Sequence, residues 1–385
     1  MLQCASVFTT EIDDPEIALY EIQEQIKKKL TLLENTVGII MCHPEFIAAG
    51  VLKAVCEGLP FDLAGITTAS QAVNDKIGEL MLTVFVMTSD EVWFKTGVTG
   101  DVSGDADEPV RVAYEKVSAG ITETPALVFV FPPFGLLAGD AYVRAWGNVL
   151  PATPVFGTCS IDDTVAFSEC ETIHNGTNYK AFMPFVLCYG NINPRFMIAT
   201  PSESNVVSSK AMVTKAYGNC VFEIDHDNAL KYFEDKGFVE SVKFTPFMID
   251  LLKREDYDGV PVIRGHAAFN DKGAAIFYGD VDEGSTFTML NCDPNDILAT
   301  TQQKLEQINE FSNVNGVLLF PCVVRRATLL GVNKHLEELK SARKTINPDF
   351  PFMMGYAGGE ICPTSVINGI PTNRFHNHTM IVLII

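Results

Sequence analysis

"PFMMGYAGGEICP", residues 351 to 363, decides the fold. A short apolar run climbs to Gly355, and small and polar residues follow at once, which reads as a strand that ends in a tight corner. The same shape occurs twice earlier, as "PFDLAGITTAS" (60–70) and "PVFGTCSIDDT" (154–164). Each corner is preceded by a second strand-type run: "VGIIMCHP" (37–44), "ALVFVFPPFG" (126–135) and "GVLLFPCVV" (316–324). Between the two runs lies a helical stretch, at 46–57, 138–150 and 329–345. A strand, a helix and a second strand call for parallel pairing with a right-handed crossover.

After the first corner, "ELMLTVFVMTSD" and "VWFKTGVTGD" read as two strands of a hairpin, and "KAFMPFVLCYG" with "RFMIAT" repeats it. "RFHNHTMIVLII" is the closing strand of the third copy. The segment "VPVIRGHAAFNDKGAAIFYGDVDEGSTFTMLN" (260–291) reads as three short strands with turns at "NDKG" and "DEGS", then a capped helix from about Asp293, and offers a partial fourth copy. At the start, Asp14 followed by Pro15 marks a helix of about 16 residues, with Ile17, Leu19, Ile22, Ile26 and Leu30 at helical spacing.

The expected fold class is therefore α/β, with repeated β-α-β-β units forming mixed sheets flanked by helices in two domains. Residues 1–30 form an N-terminal helix. Residues 31–222 hold two units, at about 37–100 and 125–200, and 223–385 form the second domain. A chain of 385 residues, 47% hydrophobic and 20% charged, can bury a large core. Its formal charge of −20 repels phosphate backbones and anionic lipid surfaces, so no nucleic acid and no membrane insertion are expected. No apolar run approaches the roughly 18 residues of a span. The start lacks a basic segment followed by an apolar one, and the ten cysteines form no C-x-x-C pair, so reduced thiols in a cytoplasmic protein are expected.

The segments "AGITTAS", "VIRGHAAFNDKGAAIFYGDVDEGSTFTML", "LLFPCVVRRATLLG", "GYAGGEICP" and "FHNHTMIVLII" resemble the FIST sensory domain family. About 30–220 resembles its N-terminal part and about 225 onward its C-terminal part. The resemblance implies a stand-alone sensory module for small molecules, amino acids among them. Such modules feed signal-transduction outputs. With no output domain of its own, this chain is expected to signal through a separate protein. Some members resemble haem-dependent gas sensors. The first corner reads "GITTASQ" where Gly-Glu follows the small residues more often, and "FHNHT" places His378 where glutamine is usual.

Several residues could carry such binding. Gly65, Gly157 and Gly355, at strand ends on one sheet edge, would admit a ligand close to the backbone, and Thr67, Thr68, Thr158 and Ser160 offer hydroxyls beside them. Gly358 and Gly359 flank Glu360, whose carboxylate could grip an amine. Arg264, Arg325 and Arg326 could grip a carboxylate bidentately, which together would suit an amino acid. Asn377 belongs to the "FHNHT" segment with His376 and His378. The last two form an H-x-H that would share one face of a strand and could hold a metal, with Glu360, Cys362 and His266 as further donors, or supply an axial haem ligand. No cofactor is expected otherwise. Each candidate also has a bland reading: a turn glycine, an inter-unit ion pair, a core histidine. Cys42, beside His43, and Cys322 occupy matching strand ends and could serve a cysteine hydrolase or transferase, although no companion acid stands at a telling distance. There is no Walker loop and no G-x-G-x-x-G opening a helix.

Overall fold

The computed structural model describes residues 2–164, 166–237, 248–253, 260–367 and 370–385, with the backbone alone described for 248–253, 366 and 367. Three units repeat as the corners suggest. In the first, strand Asn35–Cys42 pairs in parallel with Asp62–Thr67, and Leu82–Ser89 lies antiparallel on its other side. Leu127–Val130, Val155–Thr158 and Phe182–Tyr189 do the same in the second. Val317–Pro321, Phe352–Gly355 and Met380–Ile384 do so in the third.

The expected hairpins at 82–101 and 182–199 do not form. Trp93–Asp101 leaves the first unit and pairs with Phe182–Tyr189 of the second. Arg195–Ala199 leaves the second and pairs with Met380–Ile384 of the third. Gln3–Thr9 takes the equivalent place beside Leu82–Ser89. This strand was missing from the reading of 1–30 as helix alone. The pieces after each corner are exchanged as well, in the other sense around the ring. Hairpin Gln71–Val73/Lys76–Gly78 of the first unit lies on Phe352–Gly355 of the third. Thr172–His174/Thr177–Tyr179 of the second lies on Asp62–Thr67 of the first. Glu360–Ile367/Ile370–His376 of the third lies on Val155–Thr158 of the second. The result is three six-stranded mixed sheets of matching order, each built from more than one unit. A period-two strand pattern is the same whichever sheet receives the strand, so sequence periodicity could not reveal the exchange.

One face of every sheet turns to a common core in which Met41, Phe85, Phe129, Phe156, Phe320, Met353 and Ile381 meet. The Phe156 and Phe320 ring centroids lie 5.3 Å apart. Helices cover the outer faces. Helix Pro15–Lys29, N-capped by Asp14 as expected, buries Ala18, Ile22 and Ile26 against the first sheet. Gly139–Val149 buries Tyr142 and Trp146 on the second. Pro294–Ile308 and Glu337–Thr345 cover the third. Two helical stretches differ from expectation. The one at 46–57 is broken into Glu45–Ala48 and Val51–Gly58 by Gly50 at φ +77. The third-unit helix begins earlier, at Val323, and is interrupted between Leu330 and Glu337.

The segment that offered a fourth copy is something else. Its three strands and its helix at Asp293 appear as read, but every strand pairing is antiparallel. Ala211–Tyr217, Thr286–Leu290, Met248–Lys253, Ile263–Phe269, Ala275–Phe277 and Cys220–Ile224 follow one another, and the first pairs with the last, closing a small barrel. Val213, Phe277 and Phe287 fill it with Tyr232 and Phe233 from helix Ala229–Asp235. Asp227–Asn228 adds a short edge strand outside the ring, on Cys220–Ile224. The expected break at 222/223 runs through this barrel. No helix of the described residues is long and apolar enough to cross a membrane.

Candidate functional site

The three corners do converge, but onto one another. Ile161 N donates to Thr67 O at 3.1 Å, Tyr356 N to Ser70 O at 3.1 Å, and Gly358 N to Cys159 O at 3.0 Å. Thr68 Oγ1 donates to Tyr356 O and Thr158 Oγ1 to Gly359 O. Thr67 Oγ1 donates to Glu171 O and accepts from Glu171 N. Thr67, Thr68, Thr158 and Ser160 are wholly buried. The corner glycines are there for the neighbouring strand. A Cβ on Gly65 would lie 1.7 Å from Ile40 O and one on Gly157 1.9 Å from Val130 O, while at Gly355 it would meet the Met41 side chain at 2.6 Å. None of the three has the positive φ that glycine permits. That role falls to Gly359, at φ +124.

A cleft does open beside the third corner, where the barrel meets segments of the second and third units. Phe134, Phe167, Tyr278, Cys322, Val323, Val324, Gly358, Asn377 and His378 line a narrow opening with a cavity volume of about 30 Å³. Phe134 follows the second unit's first strand, Tyr278 comes from the barrel, and Cys322 to Val324 begin a helix. Phe134 lies 5.5 Å from the Tyr278 ring and 5.4 Å from the Phe167 ring. Asn377 Oδ1 accepts from Gly265 N of the barrel.

Glu360 lies beneath this floor, wholly buried. Its Oε2 accepts from Thr379 Oγ1 at 2.9 Å, and the Cys322 thiol is a second hydrogen-bonding neighbour of the carboxyl. Burial pushes its pKa up to about 8, against the opposing pulls of Thr379, Cys322 and Arg325, so the acid is mostly protonated at neutral pH. The Cys322 thiol lies against it and is raised well above the ordinary range, first by burial and then by Glu360. His378 is pushed down to about 3 by burial and by Arg325, and stays neutral. Its Nδ1 has no hydrogen-bond partner.

The arginines are engaged inside the protein. Arg325 donates to Glu338, to Thr301, and to the carbonyls of Ile297 and His378. Arg326 donates to Ser70 Oγ and Glu79. Arg264 reaches from the barrel to both oxygens of Asp140, at 3.0 Å each, and to Phe375 O. Asp140 Oδ2 also accepts from Asp280 N, and Arg144 pairs with Asp280, so this cluster pins the barrel to helix Gly139–Val149.

His376 and His378 do not share a strand face. The expected single final strand is two, in different sheets, because the chain ends one strand at His376, turns through His378 at φ +58, and starts the next at Met380. His376 Nε2 lies 3.3 Å from Cys362 O. Among the described residues no group of three or more His, Cys, Asp or Glu is placed to hold a metal ion. All ten cysteines are free. Cys42 is buried in the first sheet with its thiol pushed far up, and only Cys322 of the pair reaches the cleft.

Of the residues singled out from sequence, Cys322, Gly358, Asn377 and His378 line the cleft. Gly359, Glu360 and Arg325 lie directly behind it. Gly355, Thr67, Thr68, Arg264, Arg326 and His376 are not in its lining. Phe134, Phe167, Tyr278, Val323 and Val324 were missed as site residues. The "PPFG" and "FYGD" runs that carry Phe134 and Tyr278 put aromatic rings beside turn residues, which was the available signal.

No curated protein matches this chain. The FIST N domain model matches residues 36–227, which span the first two units, and the FIST C domain model matches 228–363, which spans most of the barrel and the third unit to its corner. Domains of this kind generally act as small-ligand sensors in signalling. Together the two matches cover most of the molecule, and the chain belongs to the FIST family.

Proposed function

We propose that the chain binds a small molecule in the cleft between barrel and sheets, and that occupancy changes how the barrel is seated, which a separate signalling protein reads. One observation carries this reading. His378, whose Nδ1 is buried without a hydrogen-bond partner, lines a small, largely apolar opening, and the Glu360 carboxyl lies behind Cys322 at its back. Buried polar groups without partners are uncommon and costly, and an aromatic-walled opening with a few convergent polar groups is the usual form of a ligand site. An amino acid is the ligand suggested by the sequence. Its ammonium would meet Glu360 across Cys322, while a carboxylate would need an arginine to leave an existing partner.

The barrel seat is the element that would shift. It rests on Asp140, Arg264, Arg144 and Asp280 and on the Asn377–Gly265 contact, of which Asn377 lines the cleft. A ligand touching Tyr278 and Asn377 at once has contacts in one seating that it lacks in another, which is the condition for shifting a population. The test is a thermal-shift screen of amino acids and other small metabolites with the whole protein and with Val324→Phe, which fills the mouth from a half-exposed helix position. The reading expects compounds that raise the melting temperature of the wild type and not of the variant. Compounds that stabilise both equally, or none at all, would overturn it.

A further inference from the structure

We propose that the cleft takes a small organic cation, an alkylammonium without a carboxylate of its own, in preference to a zwitterion or an anion. The inference rests on the cleft being the ligand site and adds the charge of the ligand.

Four observations converge on it. The walls present three aromatic rings, Phe134, Phe167 and Tyr278, packed in a chain, and aromatic faces attract cations. The lining contains no Lys or Arg, and its one histidine is neutral. The nearest guanidiniums already face carboxylates: Arg325 is held by buried Glu338 and Arg264 by Asp140. An anion entering the cleft would therefore lose its water and find no unengaged cation. Finally, a chain of net charge −20 concentrates cations around itself and repels anions.

The floor supplies the counter-charge. Glu360 keeps its proton because it is buried, and a positive charge placed across Cys322 favours its ionised form. Binding would then proceed as ammonium plus protonated Glu360 going to ammonium–carboxylate plus one proton released to solvent. The other groups facing Glu360 are Cys322 and Arg325 on the third-unit side, Cys159 from the second corner, cross-strand His376, and Thr379 and His378 from the turn. Arg325, the guanidinium among them, is met by Glu338.

A matched set of probes separates the possibilities: butylamine, norvaline (the same chain bearing a carboxylate) and valerate. Each is titrated calorimetrically into the whole protein at several pH values and in buffers of different ionisation enthalpy, with Val324→Phe and Glu360→Gln alongside. Butylamine is expected to bind, to release close to one proton below the Glu360 pKa, and to gain roughly tenfold in affinity per pH unit in that range. Glu360→Gln should remove the pH dependence and the proton release, and Val324→Phe should remove binding. If norvaline or valerate binds the wild type and not Val324→Phe while butylamine stays inert, the charge inference is overturned and the cleft remains the ligand site. If butylamine binds wild type and Val324→Phe alike, or if none of the three binds, both fall.

Discussion

Replacing Glu360 by glutamine should change the pH dependence of stability more than its absolute level. The carboxyl has its pKa raised from an ordinary 4.5 to about 8. The native protein therefore keeps a proton between these values that the unfolded chain gives up. Where the native state binds more protons, stability falls as pH rises. The contribution is absent below the unfolded pKa, grows unfavourable through the window, and levels off above the native pKa. At about 1.4 kcal/mol per pKa unit, the loss between pH 5 and 8 is roughly 3–4 kcal/mol. Glu360→Gln has no proton to hold and should lack this decline, while its amide oxygen can still accept from Thr379. His378 acts in the opposite sense. It is neutral down to about 3, so it disfavours the fold as pH drops below its ordinary value of 6.5. That slope is common to both proteins and cancels in their difference. Urea unfolding of wild type and variant across this range measures the difference directly. Parallel curves would refute the assignment of Glu360 as a buried, protonated acid.

Three other perturbations test the architecture. Gly157→Ala sets a Cβ 1.9 Å from a backbone carbonyl and should abolish folding or strongly reduce soluble yield, whereas Gly100→Ala, with open space around it, should leave far-ultraviolet circular dichroism and melting essentially unchanged. Glu338→Ala strands the wholly buried Arg325, along with the Tyr356 and Thr301 hydroxyls that bond to Glu338, and should cost about 3–5 kcal/mol in urea melts. Arg264→Ala removes the bidentate contact to Asp140 and should loosen the barrel's seat, seen as faster amide exchange at Gly139, Gly265 and Asp280 with the Phe156–Phe320 core unaffected.

Much of the fold could be read from local pattern. Strand-helix-strand units, glycine corners and the caps at Asp14 and Asp293 are properties of short windows, and they stand where expected. The partnership of the strands was not local. Trp93–Asp101 carries the signature of a hairpin strand, and nothing in it records that it crosses to Phe182–Tyr189. The site shows the same division. Glu360 and the "FHNHT" segment stood out because glycines and polar residues interrupt apolar runs. The corner glycines misled, because close approach of a parallel strand and close approach of a ligand call for the same residue. Arg325 and Arg326 were read as able to grip a ligand carboxylate, and only the third dimension brought Glu338 and Glu79 to them.

Hydrogen exchange with and without the compound that most raises the melting temperature addresses the central claim most directly. New protection is expected at residues 322–324, 358–360 and 376–379 and at Tyr278 on the barrel side. Protection centred instead on the separate polar groove lined by Cys4, Ser6, Lys29, Asn74 and Asp75, with the cleft segments unchanged, would contradict it.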